Sequence, residues 1–255
     1  MFPLRDNIPT DRLPIATILL IAINVIVYFF VQPKSGIDFS GGSLDQRSLF
    51  HYGAIPFEVT HPSQHCEVLA SGNAAQCGKG VDDGGIATPV TVLTSMFTHA
   101  GLLHLGGNML FLWIFGNNIE DAMGKVKFVV FYLLGGLAAL ALQTAINPDA
   151  VVPTLGASGA IAAVLGGYIL LYPRARVLTL IFLIVFFTFI EIPAMFFLFI
   201  WFAQQAVFGA IGLTNAQQSG GGGVAYFAHI GGFVFGLLAV KALAHRRSSA
   251  YTAIA

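Results

Sequence analysis

The chain has 255 residues, 56% of them hydrophobic and only 9% charged, with a formal net charge of zero and a mean hydropathy of +0.79. A soluble domain carries about 25% charged residues, so this composition excludes a soluble globular protein and marks an integral membrane protein in a lipid bilayer. No basic stripe is present for nucleic acid to follow.

In chain order, Arg5 and Arg12 precede an apolar run from Pro14 to Val31. The run is too long for a signal h-region, and the QPKSG after it has no small-x-small cleavage site, so it reads as a first spanning helix. Spans need ~20 apolar residues, and candidates lie at 14–32, 102–120, 126–146, 157–172, 192–212 and 225–244. The apolar stretch from Val177 to Gly212 has room for one span or two short ones. Charge decides between these readings. With six spans, Arg5, Arg12, Lys125, Lys127, Arg174, Arg176, Lys241, Arg246 and Arg247 share one side, and Lys34, Arg47 and Lys79 lie opposite. The positive-inside rule then places both termini in the cytoplasm of a multi-pass cell-membrane protein. Val177 to Ile190 becomes an interfacial or partly inserted segment, broken from span five at Glu191 and Pro193. The expected fold is all-α, a polytopic six-transmembrane-helix bundle. It divides into a cytoplasmic N-terminus (1–13), a first span (14–32), a long extracytoplasmic loop (33–92), a core of five further spans (93–244) and a cytoplasmic tail (245–255). Cys66 and Cys77, the only cysteines, both lie in the long loop, where a disulfide is the leading reading. His61 and His65 beside Cys66 match no zinc spacing, so no metal or cofactor is expected.

Three groups of polar residues fall inside spans, where lipid makes them costly. Ser158 lies in GASGA at the start of a short fourth span, where free N–H groups and the positive dipole end favour a developing anion. Taken alone it reads first as a helix cap or a packing residue. His229 lies in AYFAHIGGFVFG at the outer end of span six. Gly232 and Gly236 form a GxxxG that permits close approach to the small residues Gly159, Ala162, Ala163 and Gly166 of span four. That approach would make His229 a general base for a Ser158 nucleophile. His104 and Asn108, in HLGGN at the outer end of span two, share one helix face and are donors suited to an oxyanion, together with the Ser158 backbone N–H. His99 nearby reads as a water-binding or capping residue. In the six-span arrangement all three groups fall at one depth on one side, and independent packing residues have no reason to converge there.

HLGGN, GASG and AHIGG in spans two, four and six resemble the motifs of the rhomboid intramembrane serine proteases, over roughly residues 93–240. The resemblance implies Ser158 as nucleophile, His229 as base in a dyad without a carboxylate, and His104, Asn108 and the Ser158 amide at the oxyanion. It implies transmembrane protein segments as substrates and an acyl-enzyme route. QQSGGGG, Gln217 to Gly223, corresponds to the family's active-site cap, and Glu120 to a structural acid near the inner end of span two. Two departures stand out. PVTVLT, with Val90 and Thr91, replaces a common Trp-Arg pair of loop one. Ala162 stands where some members stack an aromatic ring on the catalytic His, so His229 needs another orienting partner. The competing readings are a non-catalytic rhomboid-like protein that binds membrane clients, and a small transporter, which would spread polar residues along a pathway. The oligomeric state is not legible in the sequence.

Overall fold

The computed structural model describes residues 1–32, 46–69, 75–81, 86–183, 186–214 and 224–245. Strand β1 is Phe2–Asp6. Helix α1 (Ile15–Ile26) continues as a π-helical turn, Val27–Val31. Short helices α2 (Gln46–Tyr52) and α3 (Pro56–Thr60) follow, then strands β2 (His65–Val68) and β3 (Ala75–Gly78) and helix α4 (Thr88–Thr94). Helix α5 (Leu102–Phe111) runs through a π-helical turn, Leu112–Gly116, into α6 (Asn117–Met123). Helices α7 (Lys125–Ile146) and α8 (Ser158–Leu171) precede strands β4 (Arg176–Leu183) and β5 (Phe186–Pro193), and α9 (Ala194–Thr214) and α10 (Tyr226–Leu243) complete the order.

The protein is mostly helical. Helical stretches lie at all six expected positions, and three of them, Lys125–Ile146, Ala194–Leu213 and Tyr226–Leu243, are long and apolar enough to cross a bilayer. Ile15–Val31 and Ser158–Leu171 are apolar but shorter. The all-α expectation needs correction in two places. The Val177–Ile190 segment is a β-hairpin: β4 and β5 pair antiparallel from Arg176↔Pro193 to Leu183↔Phe186, and β1 adds to the far edge of β4. Runs of branched and aromatic residues in VLTLIFL and FFTFIEI favour a pleated surface over a helix. The ambiguous stretch is thus a hairpin followed by one helix. Phe182, Phe186, Phe187 and Phe189 are exposed on it, while Arg176 and Glu191 pair at its root, 3.3 Å apart. The second correction is the β2–β3 hairpin in the long loop, where Cys66 sits opposite Cys77 and the two form a disulfide.

Helix α8 is the centre of the bundle. Almost every residue after Ser158 is buried, from Gly159 to Tyr168 without a break. It packs against α7 and α10 through missing side chains. A Cβ on Gly232 would lie 2.0 Å from the Gly159 carbonyl oxygen, one on Gly236 2.0 Å from that of Ala163, and one on Gly166 2.1 Å from that of Phe233. Glycine is thus required for contact, and lipid tails supply no competing hydrophobic drive, so close backbone packing holds such helices together.

Polar bonds tie the ends. Glu120, near the end of α6, accepts hydrogen bonds from the N–H groups of Ala16 and Thr17 at 2.9 and 2.7 Å and from the Thr17 hydroxyl at 2.8 Å. It therefore caps the N-terminus of α1 from another element, satisfying donors that the first turn leaves free. The Tyr168 hydroxyl and Asn118 Nδ2 both donate to Asp6 of β1. Burial pushes the Asp6 carboxyl up to about 6, against the lowering effect of the Tyr168 hydrogen bond.

Gly232→Ala is expected to destabilise the bundle by about 1–3 kcal/mol, because the methyl group must force α8 and α10 apart. A thermal melt in detergent checks this, and a midpoint equal to wild type contradicts the packing.

Candidate active site

Ser158 opens α8, a helix of 14 residues and so about 21 Å long, against a hydrocarbon core of ~30 Å. The residues before it must satisfy their backbone groups within the protein, and they do so with loop one. Ala54 and Thr154 exchange two backbone hydrogen bonds at 3.0 and 2.8 Å, and the Phe57 N–H donates to the Ala150 carbonyl at 3.0 Å. The Thr60 hydroxyl donates to the Pro148 carbonyl at 2.8 Å. These bonds anchor loop one in a sequence that lacks the Trp-Arg pair. Gly156, at φ +113°, turns the chain into the helix in a backbone conformation that side chains disfavour, and its N–H is fixed by the Ser95 carbonyl at 2.8 Å.

His229 lies in the first turn of α10. Its Nε2 is 2.8 Å from Ser158 Oγ, and its Nδ1 is 2.8 Å from Gln205 Oε1. A carboxamide oxygen only accepts, so Nδ1 carries the proton and Nε2 offers its lone pair to the Ser158 hydroxyl. Ser158 and His229 are both half-buried, sheltered but open to a reactant. Gln143 of α7 accepts from the Ala228 N–H at 3.2 Å, which steadies the start of α10.

His104 and Asn108 sit one turn apart on α5 and border Gly156. A Cβ built on Gly156 would fall 2.8 Å from His104 Nε2 and 3.6 Å from Asn108 Nδ2, so the absent side chain leaves a small space faced by both. The Ala100 N–H donates to His104 Nδ1 at 3.4 Å, which leaves Nε2 as the protonated, donating nitrogen. Asn108 Nδ2 is buried without a hydrogen-bond partner. An unmet buried donor costs about 1–3 kcal/mol, so this one favours an incoming acceptor. All four site residues expected from the sequence therefore meet at one end of the bundle. His99 packs edge-to-face on His104 with ring centroids 5.2 Å apart. Its backbone N–H and carbonyl are bracketed by the Gln32 amide at 3.0 and 3.2 Å, and both its ring nitrogens are buried without partners.

The residues that sequence reasoning missed are Gln205 and Trp201 of α9. The Trp201 ring lies 5.8 Å from that of His229. The overlooked signal is Gln204–Gln205, two amides inside an apolar span. The Gln217–Gly223 cap segment lies outside the described residues. Among the described residues no group of three or more His, Cys, Asp or Glu could hold a metal ion.

A Rhomboid domain model matches residues 87–246. "Rhomboid protein 1, mitochondrial" of Saccharomyces cerevisiae is 30% identical over 157 residues, covering 60% of this chain and 41% of that protein. "Presenilin-associated rhomboid-like protein, mitochondrial" of Mus musculus is 37% identical over 97 residues (37% of this chain, 26% of that protein), and the Homo sapiens protein of the same name is 31% identical over 149 residues (57% and 36%). The chain thus spans less than half the length of these curated relatives.

Gly156→Ala is expected to cost ~1–2 kcal/mol for its left-handed backbone and to displace the His104 imidazole. An unchanged melting temperature together with an unchanged His104 ring signal by NMR contradicts this geometry.

Proposed function

Because the chain belongs to the rhomboid family, whose domain its residues 87–246 match, we propose that it is an intramembrane serine protease that cuts transmembrane segments of membrane proteins. One observation carries this reading: the 2.8 Å approach of Ser158 Oγ to a His229 Nε2 whose lone pair faces the hydroxyl. As the peptide carbonyl is attacked, the Ser158 proton passes to His229 Nε2 and Oγ bonds to the carbonyl carbon. The resulting oxyanion lies at the start of α8, where His104 Nε2–H, Asn108 Nδ2–H and the Ser158 N–H serve as donors. Each such donor is worth about 10²–10³ in rate. His229 then gives its proton to the leaving amine. An acyl-enzyme remains on Ser158, and water, deprotonated by the same Nε2, hydrolyses it.

A helical peptide bond is shielded by its neighbours, so the substrate must unwind locally before it can reach Oγ. The short α8 supports this reading: at about 21 Å it falls short of a ~30 Å hydrocarbon core, so a serine at its start suits a transmembrane segment as substrate. The distribution of Lys and Arg is the ground for reading six spans with both termini on one side of the membrane and loop one on the other. The domain limits are those expected above, 93–244 forming the catalytic core. No cofactor enters this scheme.

The test is cleavage of a generic single-span substrate in detergent or liposomes. Wild type is expected to cleave it, and Ser158→Ala and His229→Ala each to lose at least about 10³-fold. Retained cleavage by folded Ser158→Ala overturns the proposal. Inactivity of the well-folded wild type across several single-span substrates favours the non-catalytic client-binding reading instead.

A further inference from the structure

A Ser-His pair without a carboxylate lacks the group that, in a triad, holds the imidazole in one tautomer and one orientation. The ring that some family members stack on this His is also absent, since Ala162 stands in its place. Something else must hold His229, because the ring has two rotational states and two neutral tautomers, and only one combination presents a bare Nε2 to Ser158. We propose that Gln205 of α9 does this: it is a positioning residue that selects the Nδ1–H tautomer of His229 and makes the seating of α9 a condition for proton transfer. The inference rests on the protease reading of Ser158 and His229.

Four observations support it. Gln205 Oε1 lies 2.8 Å from His229 Nδ1. The Gln205 amide is itself oriented, because its Nε2 donates to the Trp201 carbonyl one turn back at 3.3 Å. That second bond uses the donor end and leaves the carbonyl oxygen facing the imidazole; turning the amide over would set its oxygen against the Trp201 carbonyl. Gln205 is buried in a helix that is otherwise largely apolar and exposed along its length, and an amide in such a place is costly unless both its ends are used. The Trp201 ring lies beside the same imidazole, ring planes tilted by 35°, and packs also on Phe233 of α10, centroids 6.2 Å apart. Trp201 and Gln205, one turn apart on α9, thus both lie against the ring.

A neutral amide suits this position better than a carboxylate. It accepts the Nδ1 hydrogen both before proton transfer, when the ring is neutral, and after it, when the ring is an imidazolium. It does so without burying a fixed charge, and the ring therefore changes charge without changing partner. Among the described residues His104 is the titratable side chain that interacts electrostatically with His229; Ser158, Gln205 and Trp201 lie against it without titrating at working pH. Because Gln205 belongs to α9 while Ser158 belongs to α8 and His229 to α10, displacement of α9 removes the Nδ1 acceptor and leaves the base free to turn.

Three measurements on the full-length protein in detergent test this. Ring-¹⁵N NMR, with the His229 signals identified by their loss in His229→Ala, is expected to show wild-type His229 protonated at Nδ1 and bare at Nε2. Gln205→Leu should lose that preference and lower kcat about 10- to 100-fold at near-constant KM. Gln205→Glu should restore the Nδ1–H tautomer and move the acidic limb of the kcat profile to higher pH, since a carboxylate stabilises the imidazolium. A wild-type ring protonated at Nε2, a Gln205→Leu variant with wild-type tautomer and kcat, or an unmoved acidic limb in Gln205→Glu each overturns the proposal. The NMR readout needs no turnover, so an inactive wild type with an intact Nδ1–H signal sinks the protease reading while the Gln205–His229 contact stands.

Discussion

Where α8 crosses α10, main chain lies against main chain. The space for a Cβ on Gly232 is occupied by the Gly159 carbonyl, and that on Gly236 by the Ala163 carbonyl. Ser158 immediately precedes the first of these contacts and His229 comes one helical turn before Gly232, so the separation of hydroxyl and imidazole follows from how closely the two helices approach. Side chains of even one carbon at these glycines would push the helices apart by more than the hydrogen bond tolerates. The packing of these glycines therefore sets the Ser158–His229 distance, held by van der Waals contact between main chains.

Around that crossing, each neighbouring element contributes one polar contact to the same end of the bundle. Gln143 of α7 holds the start of α10, Gln205 of α9 holds His229, and Gln32 after the first helix holds the backbone of His99. The loop ahead of Ser158 is paired with Ala54, Phe57 and Thr60 of loop one. Such bonds satisfy irregular backbone within the protein. They also leave the turns ahead of α8 paired within the protein. The donors left over, above all Asn108 Nδ2, face the space above Gly156.

The helical positions and the Ser158, His229, His104 and Asn108 cluster were legible because spans announce themselves by length and apolarity, and because polar groups inside spans are few enough to compare in depth. The GxxxG of Gly232 and Gly236 was legible as a close-approach signal, and α8 supplies the matching small residues. Three things were not legible. The β4–β5 hairpin hides in an apolar run, since hydropathy does not distinguish a strand from a helix when neither face is polar. The addition of Phe2–Asp6 to β4 is a long-range pairing that no local pattern announces. Gln205 carries no charge and sits beside a second Gln that is exposed, so depth alone does not single it out. The bond it makes to His229 depends on the rotation of α9, which periodicity does not fix in a helix apolar on nearly every face.

The proposed chemistry depends on a Ser158 hydroxyl made nucleophilic by His229 at the crossing of α8 and α10. A fluorophosphonate probe reads this most directly, because it reacts covalently only with an activated serine. Mass spectrometry of the labelled wild-type protein is predicted to find one adduct, on Ser158, that is absent from Ser158→Ala and strongly slowed in His229→Ala. A folded wild-type protein that takes up no probe, or one labelled equally well without His229, would contradict it.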